Sequence, residues 1–335
     1  MQDKRLIVII PALNEQQTIA DVINRIPRKM DGAEVVKVVV VDDGSTDATA
    51  DAALKAGADV VSHANNRGVG IAFATGVKAA LARGADIVVN MDGDGQFSPE
   101  DIPALVRPIL KDGAEFVTCS RFGNPEVVPV MPRTKLVGNH MMSWLISRLC
   151  RGQRHFTDVS CGFRAYTRET LLRMNLFGQY TYTQETFINL ASMGVEMAEV
   201  PLRIRGTREF GKSRVAGSLL KYVSKTVPII FRTFRDLHPL GFFGIIASVV
   251  ILAGLVMGAF VFIHWLQTGY TTPYRSMLIG SAVGLILGFV FLVLALLADM
   301  LNRIRMLLEE LLFINRTALY RDQRPQPKVS ERDVG

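Results

Sequence analysis

The 335 residues, 49% of them apolar, suffice for one sizeable soluble core plus a membrane part, and the net charge of +7 is concentrated rather than spread. Arg203, Arg205, Arg208, Lys212, Arg214, Lys221, Lys225, Arg232 and Arg235 crowd one short stretch ahead of an apolar region. That placement fits anionic lipid headgroups; without interleaved aromatic residues or a reader motif it argues against nucleic acid as a partner. Cys119, Cys150 and Cys161 lack metal-ligand spacing and leave an odd number, which argues against a disulfide framework or a zinc site and leaves them reduced and semi-buried.

Strand-like runs occur at 6–10, 35–41, 86–91 and 116–119, alternating with helical patterns at about 15–26, 47–56, 71–82 and 99–110. Asp47 and Ser98 stand where N-caps are expected. The alternation predicts βαβ units and a mostly parallel sheet, whose ligands bind beyond the carboxyl ends of the strands. No signal-peptide pattern precedes the first strand, so the soluble part is expected to stay in the cytoplasm.

Three polar clusters fall at those strand ends. Pro11-Ala12-Leu13-Asn14-Glu15 closes the first, and Asp42-Asp43-Gly44-Ser45-Thr46-Asp47 closes the second, where one carboxylate can accept hydrogen bonds from a base or ribose. Asp92-Gly93-Asp94-Gly95-Gln96 closes the third, setting two carboxylates and an amide oxygen at alternate positions. Such hard donors suit Mg²⁺ or Mn²⁺ bridging to a diphosphate; taken alone, the loop equally suits an acidic turn capping the next helix. The stretch Asn66-Arg67-Gly68-Val69-Gly70 opens a helix with glycine spacing that matches neither the dinucleotide fingerprint nor a P-loop, which disfavours a nicotinamide-dependent dehydrogenase.

Apolar segments at about 240–266 and 276–298 are each long enough to cross a hydrocarbon core of roughly 30 Å. Arg232, Arg235, Arg303 and Arg305 flank them, against one basic residue in the 267–275 connector, so both ends are expected in the cytoplasm. Residues 301–321 follow as an amphipathic helix suited to the membrane surface or to a partner subunit, including a second copy, and 322–335 reads as a flexible tail. The expected organisation is a domain at 1–215, a basic juxtamembrane segment at 216–238, a transmembrane hairpin at 239–300, then the helix and tail.

In this order the four motifs ending at Glu15, Asp47, Gly70 and Gln96 resemble the large inverting glycosyltransferase family with the GT-A fold, within it the dolichol-phosphate mannose synthase group and its bacterial polyprenyl-phosphate relatives. The resemblance covers about 6–215. It implies that Pro11, Asn14, Glu15, Asp43, Arg67, Gly70 and Asp92 bind a nucleotide diphosphate sugar (UDP- or GDP-hexose), and that Asp92, Asp94 and Gln96 hold Mg²⁺ or Mn²⁺. Ser120, Arg121, Arg133, Arg208 and Arg214 would meet the phosphate of an undecaprenyl or dolichyl acceptor, Asp94, Arg121 and Arg208 acting nearest the reacting groups. Asp158-Val-Ser-Cys-Gly-Phe-Arg164 matches a further family segment. Arg208-Glu-Phe-Gly-Lys-Ser-Arg214 matches another, with Arg in place of its final Lys, and Arg214 reads equally as a snorkelling membrane-surface residue. The implied reaction is a single inverting displacement at the inner face of the plasma membrane. A processive polysaccharide synthase is disfavoured by the missing Q-x-x-R-W signature and too few spans, and a non-catalytic scaffold by the intact Asp92, Asp94 and Gln96.

Overall fold

The computed structural model describes residues 3–124, 133–149, 156–175, 183–205, 231, 235 and 239–321. The chain divides into two compact units, one formed by Met1–Thr226 with Leu311–Gly335 and the other by Val227–Glu310.

The first unit is built on an eight-stranded mixed sheet. Its strands are β1 (Lys4–Ala12), β2 (Lys29–Met30), β3 (Ala33–Asp42), β4 (Asp59–Ser62), β5 (Ile87–Asn90), β6 (Phe116–Ser120), β7 (Arg164–Thr167) and β8 (Met197–Pro201), in the spatial order β2-β3-β1-β5-β7-β6-β8 with β4 also on β3. β1 pairs in parallel with β3 and β5, β3 with β4, and β6 with β8, whereas β7 runs antiparallel between β5 and β6. Central strands covered on both faces need unbroken apolar runs, and Leu6, Ile7, Val8, Ile9 and Ile10 are all fully buried. Each such side chain is worth about 1.5–3 kcal/mol over exposure.

Helices α1 (Ile19–Asn24), α2 (Thr49–Lys55), α3 (Val69–Ala82) and α4 (Ile102–Lys111) connect these strands. One face of the sheet packs Val8, Ile10, Val40 and Val117 with Ile19, Ile23, Leu105 and Val106. On the other face an aromatic group fills the space, Tyr166 lying 5.7 Å from Phe73 and 5.1 Å from Phe116, with Phe187 edge-on to Phe116. The expected strands and helices are all present, with ends shifted by a few residues. Short β2, β4, β7 and β8, and helices α5 (Arg133–Leu149), α6 (Arg168–Arg173) and α7 (Thr183–Ser192), extend that framework. Neither expected cap occupies its N-cap position with a side-chain bond: Asp47 lies one residue before the Ala48 N-cap of α2 yet accepts from the Thr49 amide at 3.1 Å, and Ser98 only accepts, through its carbonyl, from the Asp101 amide.

Two helices are long and apolar enough to cross a membrane, α8 (Pro239–Thr268) and α9 (Arg275–Arg321). They pack closely at small residues, where the Ser281 hydroxyl donates to the Gly254 carbonyl at 2.8 Å and a side chain at Gly254 would meet the backbone of Leu285 at 3.2 Å. Ile245, Val249 and Phe289 are 63–65% exposed, as expected of side chains that face lipid. Helix α9 runs on through the amphipathic segment expected as a separate element.

Its last turns belong to the first unit, and they pack against α6 of that unit. Two arginines bond reciprocally to carbonyls near helix ends there. Arg316 donates to the carbonyls of Leu172 and Met174 at the end of α6, while Arg168 at the start of α6 donates to the Tyr320 carbonyl at 2.8 Å. Cations beside carbonyl-bearing helix ends are favourable, and Arg173 adds a contact with the Phe313 ring. Arg316→Ala is expected to cost about 1–2 kcal/mol, read as a fall of several degrees in the thermal unfolding of the purified full chain; an unchanged transition would show the contact to be energetically idle.

Candidate active site

All parallel strands of the sheet end at one rim, and the predicted clusters meet there. Asn14 adopts a left-handed conformation (φ 53°), rare outside glycine, and the surroundings hold it. Its amide donates to the Ser45 hydroxyl at 2.9 Å and its side-chain oxygen accepts from the Thr46 amide at 2.8 Å. Next, the Glu15 amide donates to Thr49 Oγ1 at 2.8 Å, and Gln16 Oε1 accepts from the Ala48 amide. The first two motifs are thus laced together across β1 and β3.

Asp43 turns the other way. Buried to 4% exposure, its carboxylate accepts from the amides of Arg67 and Gly68 at 3.0 and 2.8 Å and sits 2.7 Å from His63 Nδ1. It therefore fixes the glycine-bearing loop that opens α3. Gly44, at φ 77°, lets that loop approach so closely that an added Cβ would lie 2.6 Å from the Asn65 carbonyl carbon.

The third motif leaves β5 as a turn in which Asp94, 2% exposed, accepts from the Gln96 amide at 3.0 Å. Thr18, buried at the start of α1, donates to the Gly93 carbonyl at 2.6 Å and pins this turn to the first motif. Gln96 pairs with Arg205: its carbonyl accepts from the Arg205 amide at 3.2 Å and its Nε2 donates to the Arg205 carbonyl at 3.0 Å. That leaves the Oε1 lone pairs as the amide's contribution to a cation. Among the described residues no group of three His, Cys, Asp or Glu side chains is placed to hold a metal. Asp92, Asp94 and Gln96 lie within five residues on this turn and carry oxygen donors only, the chemistry that Mg²⁺ or Mn²⁺ takes alongside phosphate oxygens and water.

Beyond β6 lies Arg121, whose Nε and Nη2 grip Asp158 in a two-pronged pair at 2.6 and 2.9 Å. Asp158 is fully buried and the Arg121 side chain 22% exposed. Burial pulls the guanidinium pKa down, but the charge and bonds of Asp158 outweigh it and hold it above the ordinary value. Deleting Arg121 outright would strand a buried carboxylate at a cost of about 3–5 kcal/mol. Ser120 contacts the Thr157 hydroxyl at 2.5 Å, and Thr157 in turn meets Glu199, whose pKa is raised by burial against opposing hydrogen bonds from the Thr157 and Asp158 amides. Arg164 of the same segment is fully buried, donating to the carbonyls of Cys161 and Val159.

The structure therefore brings Asn14, Glu15, Asp43, Arg67, Asp92, Asp94 and Gln96 to one rim, with Ser120 and Arg121 at the ends of the strands further along it. Pro11 occupies β1 beside Val41, Gly70 lies in the first turn of α3, and Arg133 opens α5. Arg208 and Arg214, with most of the 216–238 segment, lie outside the described residues. Cys119 and Cys161 are free and buried, while Cys150 also lies outside them. Sequence reasoning missed Thr18, His63 and Glu199. Each acts by a long-range hydrogen bond that leaves no local pattern.

A mixed sheet with acidic and amide side chains on the carboxyl rim of its parallel strands is the plan of a GT-A nucleotide-sugar transferase. The model of glycosyl transferase family 2 matches residues 7–173. The chain is 32% identical over 223 residues to the UDP-N-acetylglucosamine–dolichyl-phosphate N-acetylglucosaminyltransferase of Methanococcus voltae, covering 61% of this chain and 86% of that one. It is 31% identical over 232 residues to the undecaprenyl-phosphate mannosyltransferase of Micrococcus luteus, covering 64% and 89%. Among solved structures, glucosyl-3-phosphoglycerate synthase from Mycobacterium tuberculosis with phosphoglyceric acid aligns at a TM-score of 0.52 and 26% identity, covering 70% of this chain and 80% of that one. The same synthase with Mn²⁺, UDP and phosphoglyceric acid aligns at 0.50 and 26%, covering 70% and 78%. This chain belongs to glycosyl transferase family 2, and it is a glycosyltransferase with the GT-A fold.

If Thr18 holds the third motif in place, Thr18→Val should lower stability by about 1–2 kcal/mol, the cost of a buried carbonyl left without its donor. Nucleotide affinity should fall with it. Thermal unfolding and nucleotide titration of the same preparation check both, and a variant matching wild type in each would show that Thr18 does not hold the loop.

Proposed function

We propose that the protein transfers one sugar from a nucleotide diphosphate donor to a polyprenyl phosphate, with inversion, at the cytoplasmic face of a membrane it crosses twice. The observation that carries this reading is the joining in one chain of the laced acidic rim with two membrane-length helices. The similarity to two lipid-phosphate sugar transferases supports it, as does the Mn²⁺ and UDP bound by the related synthase.

The acceptor phosphate oxygen attacks the anomeric carbon of the sugar. The bond from that carbon to the donor's diphosphate oxygen breaks, and its electron pair leaves with the nucleoside diphosphate. A phosphate monoester is already anionic near neutral pH, so no side chain has to remove a proton. Asp92, Asp94 and Gln96 would hold a divalent cation, which when bound offsets the charge growing on the departing diphosphate. The Asn14–Glu15 and Asp43–Gly70 loops would seat the nucleotide. Arg121, with Arg133 and Arg208, would draw in the second anion, whose repulsion by the donor otherwise opposes approach.

The test is a panel of UDP- and GDP-sugars with a polyprenyl phosphate in detergent, read as formation of a lipid-linked monosaccharide. Asp94→Asn should reduce transfer at least a hundredfold with the fold intact, and excess chelator should abolish it. Polymer as product would mark a processive synthase, inactivity with every donor a scaffold, and full activity in chelator would remove the metal.

The membrane topology has its own check. Thr271→Cys and Ser330→Cys are introduced separately into a chain lacking Cys119, Cys150 and Cys161, and intact cells are treated with an impermeant thiol reagent. Position 271 should label and position 330 should not; the opposite pattern would put the site of transfer on the other side.

A further inference from the structure

Arg121 is only as well placed as the carboxylate that grips it, and Asp158 sits in the described segment 156–163 that leads into β7. A glutamate from β8 holds that segment. Glu199 accepts from the Thr157 amide at 3.0 Å through both oxygens, from the Asp158 amide at 2.9 Å and from the Thr157 hydroxyl at 2.9 Å. Because Thr157 gives its one hydroxyl proton to Glu199, the 2.5 Å contact with Ser120 has Ser120 as donor. Ser120 Oγ then accepts from the amides of Phe122 and Gly123 at 3.1 and 2.9 Å, the turn that carries Arg121. The guanidinium is thus approached from two sides by one hydrogen-bonded chain that ends on Glu199.

We propose that Glu199 is a positioning residue for Arg121, aiming the free edge of its guanidinium at a phosphate monoester. A guanidinium is planar and rigid, so once Nε and Nη2 are committed to Asp158 the direction of Nη1 is set. Nη1 makes no bond among the described residues, and Arg121 keeps 22% of its side chain exposed beside a carboxylate with none. Asp158 cannot pivot, since its Oδ1 also accepts from the Ser160 amide at 3.1 Å. Glu199 needs no contact with the ligand; it acts by keeping that segment, and so the arginine, in one place. The inference rests on the proposed function only in taking that phosphate to be the acceptor's.

The test measures binding as well as turnover, on the full chain in detergent. Farnesyl phosphate and, separately, inorganic phosphate are titrated into wild type, Glu199→Gln, Arg121→Lys and the double variant. Circular dichroism checks the fold, and Thr157→Val, which removes only the hydroxyl link, serves as the milder second variant. Glu199→Gln is expected to weaken farnesyl phosphate about tenfold and inorganic phosphate by the same factor from a weaker start. Thr157→Val should weaken both about threefold, with nucleotide affinity unchanged throughout. The double variant should bind no worse than Arg121→Lys alone, because both changes act on one contact. Unchanged phosphate binding, an equal loss of nucleotide binding, or fully additive losses would overturn the assignment. Glu199-dependent phosphate binding in a protein that transfers no sugar would sink the proposed function and uphold the positioning role. Sugar transfer with binding indifferent to Glu199 would do the reverse.

Discussion

Loops at the carboxyl ends of parallel strands carry backbone N–H and C=O groups that no ladder satisfies, and burying them costs free energy unless side chains supply partners. In this chain each rim loop draws its partners from a neighbouring loop. Asn14 completes the turn after β3, Thr18 the turn after β5, Asp43 the loop before α3, and Gln96 the segment after β8. The described rim loops hold one another in series, so this part of the rim behaves as one hydrogen-bonded chain of loops. The left-handed Asn14 is a strain that such mutual support would hold, while Gly44 makes its close approach without strain because it has no Cβ.

The same arrangement handles the charge. Asp42, Asp43, Asp94 and Asp158 are all nearly buried, a concentration of carboxylates that would repel a diphosphate if all faced outward. Most are turned into the scaffold. Asp42 accepts from the Ser45 amide, Asp43 from two amides and His63, Asp158 from Arg121, and Glu199 from the amides of its neighbours. Their negative charge is spent orienting backbone and arginine, so the rim can carry acidic residues and still receive anions.

The scaffold was legible in the sequence because its signal is local. Buried parallel strands demand apolar runs, and those at β1, β3, β5 and β6 stand out in any window. The Asp92–Gln96 loop was legible for the same reason: its alternate oxygens lie within five residues. What escaped were contacts whose partners are far apart in the chain. Glu199 lies 42 residues from Thr157, and Thr18 lies 75 from Gly93. Nothing near Glu199 in sequence marks it as more than a strand residue. The junction at the end of α9 was hidden similarly. An amphipathic pattern reveals that a face will be covered but not by what, and it is Arg168 and Arg316, far apart in the chain, that decide it.

His63 bears on what kind of acceptor such a rim can serve. Nδ1 faces Asp43 and Nε2 faces Thr75 Oγ1 at 3.0 Å, so both nitrogens are occupied and neither is offered to a substrate hydroxyl. A sugar or protein hydroxyl is a poor nucleophile until a base takes its proton, and a base must lie within hydrogen-bond reach to do so. A phosphate monoester arrives already ionised and asks for the opposite help: cations that hold it beside another anion without quenching its oxygen. An arginine with one edge fixed to a buried carboxylate supplies that help, since its charge is partly balanced and its remaining N–H groups are rigidly directed. The commitment of His63 and the partial commitment of Arg121 thus favour the same nucleophile, an oxygen that is an anion before it reaches the site.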